Sequence, residues 1–334
     1  MANLYLTEQN SVLRKTGDRL LVEKEGQILL DVQCHKIGAV LIFGNVQFTT
    51  QAVHELMEHG IELAIHTRSG RLVGQLTSPT TKNIALRIKQ FARYQDEAFR
   101  VRVAREIVGG KLANCLHLLR EFAYNHPEID LSAEGAALGE RLATLPAANT
   151  LDQVMGLEGE AARSYFQGFA KMVLAGFSFP GRRKRPPTDP VNAILSLSYT
   201  MIFNEIGSLL DGLGFDPYLG YFHSATYGRA SLAADLMEEF RAPVADRLTL
   251  KVINTRVFAA QDFHAHPESG GVAFTREALK RYFAEYERLL NAEFLLPASG
   301  ERTTLRKCFR RQAEAMARVI QEDAPYHPFT LGAG

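Results

Sequence analysis

Two stretches of the sequence place side chains that could bind a hard divalent cation. The first covers residues 217–241, where His223 lies in a glycine-flanked turn and a following helix carries Asp235, Glu238 and Glu239. Acids at positions i, i+3 and i+4 share one helix face and repel each other unless a cation or a basic group lies among them. Carboxylates with a neutral imidazole are typical ligands of Mg²⁺ or Mn²⁺, and no thiolate accompanies them.

The second stretch is a predicted helix around Glu158, whose neighbours Gly156 and Gly159 flank the acid. Each glycine costs about 1 kcal/mol relative to alanine inside a helix, so the pair predicts close approach of another backbone or of a ligand. A different interpretation remains open for each residue. Glu158 could be solvated, His223 could be an ordinary core or surface histidine, and Asp235 could belong to an ordinary acidic face. The residues alone therefore indicate a candidate divalent-cation site.

The composition excludes several classes of protein. The chain has 334 residues, which favours two domains, and its 46% apolar and 22% charged residues are ordinary for a globular protein. A net charge of +1 gives no overall attraction to nucleic acid or membrane. Three scattered cysteines support neither a zinc ribbon nor a disulfide framework. We expect a cytoplasmic protein without a signal peptide, a membrane-spanning segment or a membrane partner.

The pattern of apolar residues changes once along the chain. Residues 3–76 alternate short β-branched runs with turn signals and include one helix after Thr49, whereas the pattern from residue 84 onward is helical. We therefore predict an α+β fold, with a small β-rich N-terminal domain at 1–81 and a larger all-helical domain at 82–334. Residues 77–83 are the predicted linker, and Gly109-Gly110 is expected to end or kink the first long helix.

Basic residues are concentrated in three places that could hold DNA phosphates. The first is a loop with four consecutive basic residues. The second is the predicted final helix, residues 303–321, together with the residue before it, where arginines occur at i, i+4 and i+8. The third is the first long predicted helix, which carries Arg87, Lys89, Arg93, Arg100, Arg102 and Arg105. Any of them could instead be an ordinary solvated surface. The residues that we single out as DNA-binding candidates are Arg182, Arg183, Lys184 and Arg185 in the loop, and Arg302, Arg306 and Arg310 along the final helix.

Three longer segments carry a resemblance to a known family. They read LEGEAARSYF, RRKRPPTDPVNAILSLSYTMI and GFDPYLGYFHSATYGRASLAADLMEEFRAPVADR. In this order they closely resemble the CRISPR-associated spacer integrase, the metal-dependent nuclease and integrase subunit of CRISPR adaptation. The resemblance covers almost the whole chain and includes a β-rich region followed by a helical one.

The resemblance implies roles for individual residues. Glu158, His223 and Asp235 match the family's metal ligands and catalytic residues, and Glu238 matches an accessory acid one helical turn further on. The implied metal is Mg²⁺ or Mn²⁺. The sequence departs from the family where Ala242 follows Arg241, a position at which proline often occurs, and this change concerns the end of the helix.

The resemblance also implies an activity and a set of partners. The 3′-OH of a short double-stranded DNA would attack a phosphodiester of the CRISPR repeat and insert the fragment into the array. The implied assembly is a homodimer, formed through the β-rich domain, that joins a small ferredoxin-like companion in a heterohexamer. Two alternatives remain open, namely a stand-alone metal-dependent DNase or RNase, and a non-catalytic DNA-binding scaffold.

Overall fold

A computed structural model shows that the protein has two compact units. The structure describes residues 2–68, 70–77, 83–174, 176–183, 186–265, 270–297 and 299–332. The first unit combines Met1–Thr80 with Arg276–Glu287, and the second combines Thr81–Thr275 with Arg288–Gly334. A β-rich N-terminal region is thus followed by a mostly helical part, which confirms the predicted α+β class. The sequence pattern did not predict that residues 276–287 belong to the first unit, and most of the predicted linker, 78–82, lies outside the described residues.

Two four-stranded sheets and one helix make up most of the first unit. One sheet has the strand order β1-β5-β7-β8, with β1, β5 and β7 parallel and β8 antiparallel, and the other has the order β4-β3-β2-β6. Apolar side chains such as Leu13, Leu20, Val40 and Leu63 are fully buried in this unit. The elements are β1 (Ala2–Leu6), β2 (Val12–Thr16), β3 (Arg19–Lys24), β4 (Gln27–Gln33), β5 (Ile37–Phe43), β6 (Gln47–Phe48), α1 (Thr50–Glu58), β7 (Glu62–His66) and β8 (Leu72–Leu76). Thr49 caps α1, as expected, by accepting a hydrogen bond from the Ala52 amide.

Helices account for most of the second unit, together with two short hairpins. They are α2 (Ile84–Tyr94), α3 (Glu97–Asn125), α4 (Ser132–Thr144), α5 (Leu151–Met172), α6 (Pro190–Leu213), α7 (Ser231–Met237), α8 (Arg247–Asn254) and α10 (Leu305–Glu322). A 3₁₀ turn, Glu238–Phe240, and a π-helical segment, Arg241–Asp246, join α7 to α8. Helix α9 (Arg276–Asn291) begins in the first unit, and the hairpins pair β9 (Phe263–Ala265) with β10 (Val272–Phe274) and β11 (Glu293–Leu295) with β12 (Arg302–Thr304).

Helix α6 forms part of the core of the second unit. Among the described residues, it is the one helix that is long and apolar enough to cross a membrane. The sequence did not suggest this, because its apolar run at 193–203 is short and interrupted. In its most apolar 18-residue stretch, 56% is buried inside the protein, as in a core helix. Asp189 caps its first turn by accepting a hydrogen bond from the Asn192 amide, and Pro190 occupies the first helical position, where no amide donor is required.

Two predicted helix boundaries were wrong. Helix α3 runs without a break through Gly109 and Gly110, and the actual interruption lies earlier, between α2 and α3, where Asp96 caps α3 through the Phe99 amide. At the other end of the chain α10 begins at Leu305, so Arg302 lies in β12. Arg302, Arg306 and Arg310 therefore do not form one basic stripe on a helix.

Candidate active site

A cavity of about 160 Å³ in the helical unit brings together Glu158, His223 and Glu238. Helix α5 presents Glu158, the loop before α7 presents His223, and the 3₁₀ turn that follows α7 presents Glu238. The imidazole Nε2 of His223 lies 3.9 Å from Glu238 Oε1. Three stretches that are distant in sequence thus supply two carboxylates and one imidazole to the same space.

Asp235 does not line this cavity, although the sequence predicted it to be a ligand. Its buried carboxylate already accepts four hydrogen bonds. Oδ2 accepts from the amides of Tyr221 (2.6 Å) and Phe222 (3.0 Å), and Oδ1 accepts from the amide (2.9 Å) and Nδ1 (2.7 Å) of His223. Asp235 therefore lies behind His223 and does not line the cavity, whereas Glu238, predicted as an accessory acid, does. The ligand roles of both acids stay predictions.

The contact with Asp235 fixes the protonation pattern of His223. A carboxylate can only accept, so the Nδ1 of a neutral imidazole must carry the proton and Nε2 must carry the lone pair. Nε2 is the atom on the side of Glu238. A carboxylate that orients the imidazole in this way is the usual arrangement behind a metal-bound histidine.

The turn that carries His223 depends on a close approach at Gly220. A Cβ atom built there would lie 2.7 Å from Asp235 Oδ2 and 2.7 Å from the Ser231 carbonyl carbon. Gly156 and Gly159, the glycines beside Glu158, have no such close neighbour. A Cβ atom built at either position would meet no described atom within 4 Å. Within the described part of the chain no backbone therefore approaches the Glu158 helix closely at these glycines, and the approach of a ligand stays a prediction.

Lys111, on α3, lies between the two carboxylates. Its Nζ contacts Glu158 Oε1 and is 2.6 Å from Glu238 Oε2, although Oε2 receives no hydrogen bond of acceptable geometry. Burial by itself would lower the pKa of Lys111, but Glu238 and Glu158 raise it above its ordinary value. The lysine therefore stays charged and neutralises the acids.

Arg241 is the second basic partner of Glu238. Its Nη2 lies 2.9 Å from Glu238 Oε1, and its guanidinium stacks on the Tyr199 ring at 4.7 Å from the centroid. Burial by itself would raise the pKa of Glu238, but Arg241 and Lys111 lower it to about 2. Glu238 is consequently ionised at neutral pH.

Asp246 is a further buried acid at the cavity. Its carboxylate accepts hydrogen bonds from the hydroxyls of Tyr165 and Tyr199, and both tyrosines are buried. Burial raises the pKa of Asp246 to about 6, against the opposing effect of the two hydroxyls. The cavity thus contains one acid held ionised and another that titrates close to neutral pH.

The predicted DNA-binding arginines occupy very different environments. Arg182 points inward, donating to Asn192 Oδ1 (2.8 Å) and Ser196 Oγ (3.1 Å) and stacking on Tyr199. Arg306 pairs with Glu205 at 2.6 Å, whereas Arg302 and Arg310 have side chains exposed by 76% and 62%. The backbone amide of Arg183 donates a hydrogen bond to Asn192 Oδ1 at 2.8 Å, and Lys184 and Arg185 lie outside the described residues. Their role in DNA binding stays a prediction.

Whether the residues present fit a divalent cation can be tested on the geometry. No three His, Cys, Asp or Glu side chains within the described ranges are close enough together to chelate an ion as they stand. The two acids nevertheless already hold one cationic group between them, the Lys111 ammonium, and the ring of a neutral His223 would direct the lone pair of Nε2 toward Glu238. Two carboxylates and one imidazole are the donor set that Mg²⁺ or Mn²⁺ accepts, so the residues fit the ion.

Sequence reasoning missed Lys111, Arg241 and Asp246. A signal existed for Lys111, since it is a lone charge between the apolar residues Val108 and Leu112 in the middle of a helix. Arg241 lies three residues after Glu238, the spacing of a helical ion pair. No local pattern distinguished Asp246, because its two tyrosine partners are distant in sequence.

The fold and the cavity together define a two-unit protein, β-rich and then helical, with a carboxylate and imidazole pocket suited to a hard cation. The profile of the family described as "CRISPR associated protein Cas1" matches residues 4–288, and the chain belongs to this family. The chain is 33% identical over 334 residues to "CRISPR-associated endonuclease Cas1 1" of Moorella thermoacetica, covering 98% of this chain and 97% of that protein. It is 32% identical to a "CRISPR-associated exonuclease Cas4/endonuclease Cas1 fusion" of Geobacter sulfurreducens, of which it covers 59%.

Solved structures share the fold. A Cas1 protein from Thermotoga maritima superposes with a TM-score of 0.81 at 22% identity, and the match covers 100% of both chains. A casposase bound to its integration product superposes with a TM-score of 0.87 at 19% identity, covering 99% of this chain and 94% of the other.

Proposed function

We propose that this protein is a metal-dependent DNA endonuclease and integrase that inserts short DNA fragments into a CRISPR array. The observation that carries the proposal is the convergence of Glu158, His223 Nε2 and Glu238 on one cavity. The relatives named as endonucleases and the casposase that shares the fold support the same class of phosphodiester chemistry.

Glu158, His223 and Glu238 are the proposed ligands of Mg²⁺ or Mn²⁺. When bound, such an ion stabilises charge on a phosphate oxygen and favours deprotonation of the attacking hydroxyl. Asp235 is a positioning residue in this proposal, since it holds the His223 ring with Nε2 toward Glu238. To act as a ligand, His223 must present the lone pair of Nε2 to the ion.

The basic side of the cavity is the proposed place for the DNA phosphate. Arg241 and Arg182 stack on Tyr199 on the cavity wall, and Arg229, which is exposed, lies at the edge. Arg229 is therefore the residue that would first meet the backbone of an incoming strand. Contacts of this kind position DNA without reading its sequence.

The proposed partners follow the named relatives. A "Cas6-RT-Cas1--Cas2 complex" contains a chain 26% identical to this one, with a TM-score of 0.83, and a "TtCas1-DNA complex" shares the fold with a TM-score of 0.59. We infer that this protein binds double-stranded DNA with 3′-OH ends and repeat DNA, as a homodimer joined by a small ferredoxin-like companion in a heterohexamer. Its proposed place of action is the cytoplasm.

Strand transfer into a supercoiled plasmid that carries the repeat tests the proposal. Glu158→Gln and Glu238→Gln should each reduce half-site products at least about 100-fold, because one ligand lost from a catalytic ion costs several kcal/mol of transition-state stabilisation. Glu160→Gln is the matched control on the same helix, since Glu160 is 57% exposed and pairs with Arg141.

The products separate the alternatives. Half-site products from wild type that require Glu158 and Glu238 support integration, whereas nicking without joined DNA would indicate a stand-alone nuclease. Joining that survives both substitutions at the wild-type rate would mean that the acids are not catalytic.

A further inference from the structure

The ammonium of Lys111 occupies the position at which the two acids of the proposed metal site converge. Its Nζ contacts Glu158 and lies 2.6 Å from Glu238, and only 12% of its side chain is exposed. The side chain comes from the middle of α3, whose other residues at the cavity, Leu112 and Cys115, are apolar. Burying a lysine in such a wall is costly unless its charge is fully paired.

We propose that Lys111 is an internal counter-cation that holds the metal site in the absence of metal and is displaced by the divalent ion. This inference rests on the proposed function, because it assumes that Glu158 and Glu238 are ligands. A divalent ion bonded to both acids at about 2.0–2.3 Å would have to share them with an ammonium at hydrogen-bond distance. Two cations at that separation repel strongly in a partly buried site, so the lysine and the metal exclude each other.

The exchange accounts for two features of the cavity. The buried Glu238 Oε2 pairs with the Lys111 ammonium at 2.6 Å, so departure of the lysine would leave this oxygen free to bind the ion. Arg241 contacts the other oxygen of the same carboxylate at 2.9 Å and can remain there when the lysine leaves. Lys111 contacts both Glu158 and Glu238. Its departure would therefore open a ligand position on both acids at once.

Calorimetric titration with Mn²⁺ alone, in protein stripped with a chelator, tests the exchange. Lys111→Met removes the competing charge and keeps the apolar stem, so the dissociation constant for Mn²⁺ should fall about tenfold or more. Lys111→Arg keeps the charge and should not bind more tightly than wild type. Lys171→Met is the remote control, since Lys171 pairs with Glu134 at 2.7 Å and does not line the cavity. Equal or weaker Mn²⁺ binding by Lys111→Met would overturn the proposal.

Reductive methylation of the wild-type protein gives a second measurement that does not depend on a variant folding. Mass spectrometry should show Lys111 protected in the presence of a chelator and several-fold more reactive when Mg²⁺ is added. Reactivity that is unchanged by Mg²⁺ would mean that the ammonium stays in place, and the inference would be wrong.

The outcome can be distinguished from failure of the proposed function. If Glu158→Gln and Glu238→Gln bind Mn²⁺ as tightly as the wild-type protein does, the metal site itself is wrong. If both weaken Mn²⁺ binding but Lys111→Met does not strengthen it, only the displacement of the lysine is wrong.

Discussion

Neighbouring acids in the sequence motif have separate tasks because helix geometry aims them at different groups. Asp235, on α7, accepts hydrogen bonds from the amides of residues 221–223. Glu238, one turn later, lines the cavity. Spacing alone places both acids on one face of a helix, and it cannot tell which of them meets backbone donors. The coordinates, and not the spacing, show which of the two acids lines the cavity.

Asp246 should make the stability of the protein depend on pH in a defined direction. Its pKa is raised by burial to about 6 in the folded state, above the ordinary value of 3.8. The folded state therefore binds this proton more tightly than the unfolded state. The resulting stability is fully present below about pH 4 and is lost as the pH rises through about 6, at a cost of about 3 kcal/mol.

Comparison of wild type with Asp246→Asn isolates this effect. The difference between their free energies of unfolding, measured with urea in the presence of a chelator, should change by about 2 kcal/mol between pH 4 and pH 7. The amide side chain of the variant has no titrating proton, so any constant offset from altered hydrogen bonds does not affect the slope. A difference that is flat over this range would show that Asp246 does not change protonation there.

At the scale of elements, the C-terminal segment after α10 fastens the turn that carries Glu238. The hydroxyl of Tyr326 and the amide of Phe329 both donate to Glu239, the amide at 2.7 Å, and Phe329 stacks on Phe240 at 5.0 Å between centroids. Asn114 donates to the Phe329 carbonyl at 2.8 Å and so ties the same segment to α3. The chain terminus is thereby linked to the residue next to a proposed ligand.

Gly110 permits this arrangement, since a Cβ built there would lie only 2.4 Å from Pro328 Cβ. We expect Gly110→Ala to displace residues 323–332 and to increase their cleavage in limited proteolysis, with weaker Mn²⁺ binding. Gly109→Ala is the matched control, because its Cβ would have only Leu145 Cδ2 at 3.7 Å, and alanine improves helix propensity by up to about 1 kcal/mol. Equal protease sensitivity of the two variants would show that the segment is not held through Gly110.

The same elements show how much of the fold and the site a sequence can predict. The apolar period predicted α1, with Thr49 as its cap, and the helix that carries Glu158. The roles of Glu158 and His223, which the familiar segments imply, stay predictions. The boundary predicted at Gly109-Gly110 was wrong because a glycine that admits a distant segment looks the same in sequence as one that ends a helix. Nothing in the sequence indicates that Arg182 points inward, because its partners Asn192 and Ser196 are brought to it only by folding.

At the scale of the whole molecule, the first unit is completed by a segment from near the other end of the chain. Phe283 of α9 is stacked against Tyr5 at 4.3 Å and lies 4.8 Å from Phe43, between ring centroids. Tyr5 also donates a hydrogen bond to Glu287 at 2.6 Å. The β-rich unit is therefore discontinuous in sequence. A single division at residue 81 leaves out residues 276–287, which belong to this unit.

Phe283→Ala should destabilise the first unit by about 3–5 kcal/mol, the usual cost of removing a buried phenylalanine. Hydrogen exchange of the amides in β1 and β5 would report the loss locally, with faster exchange than in wild type. Tyr124→Ala serves as the control, because Tyr124 is 87% exposed on α3. Unchanged protection of β1 and β5 would show that the unit does not depend on α9.

The central claim, that Glu158, His223 and Glu238 bind one divalent ion, is tested most directly by crystals soaked in Mn²⁺. We predict an anomalous peak about 2.0–2.3 Å from a carboxylate oxygen of Glu158, from His223 Nε2 and from a carboxylate oxygen of Glu238, with Asp235 still bonded to His223 Nδ1. A peak bonded to Asp235 in place of Glu238, or no peak in this cavity at saturating Mn²⁺, would contradict the claim.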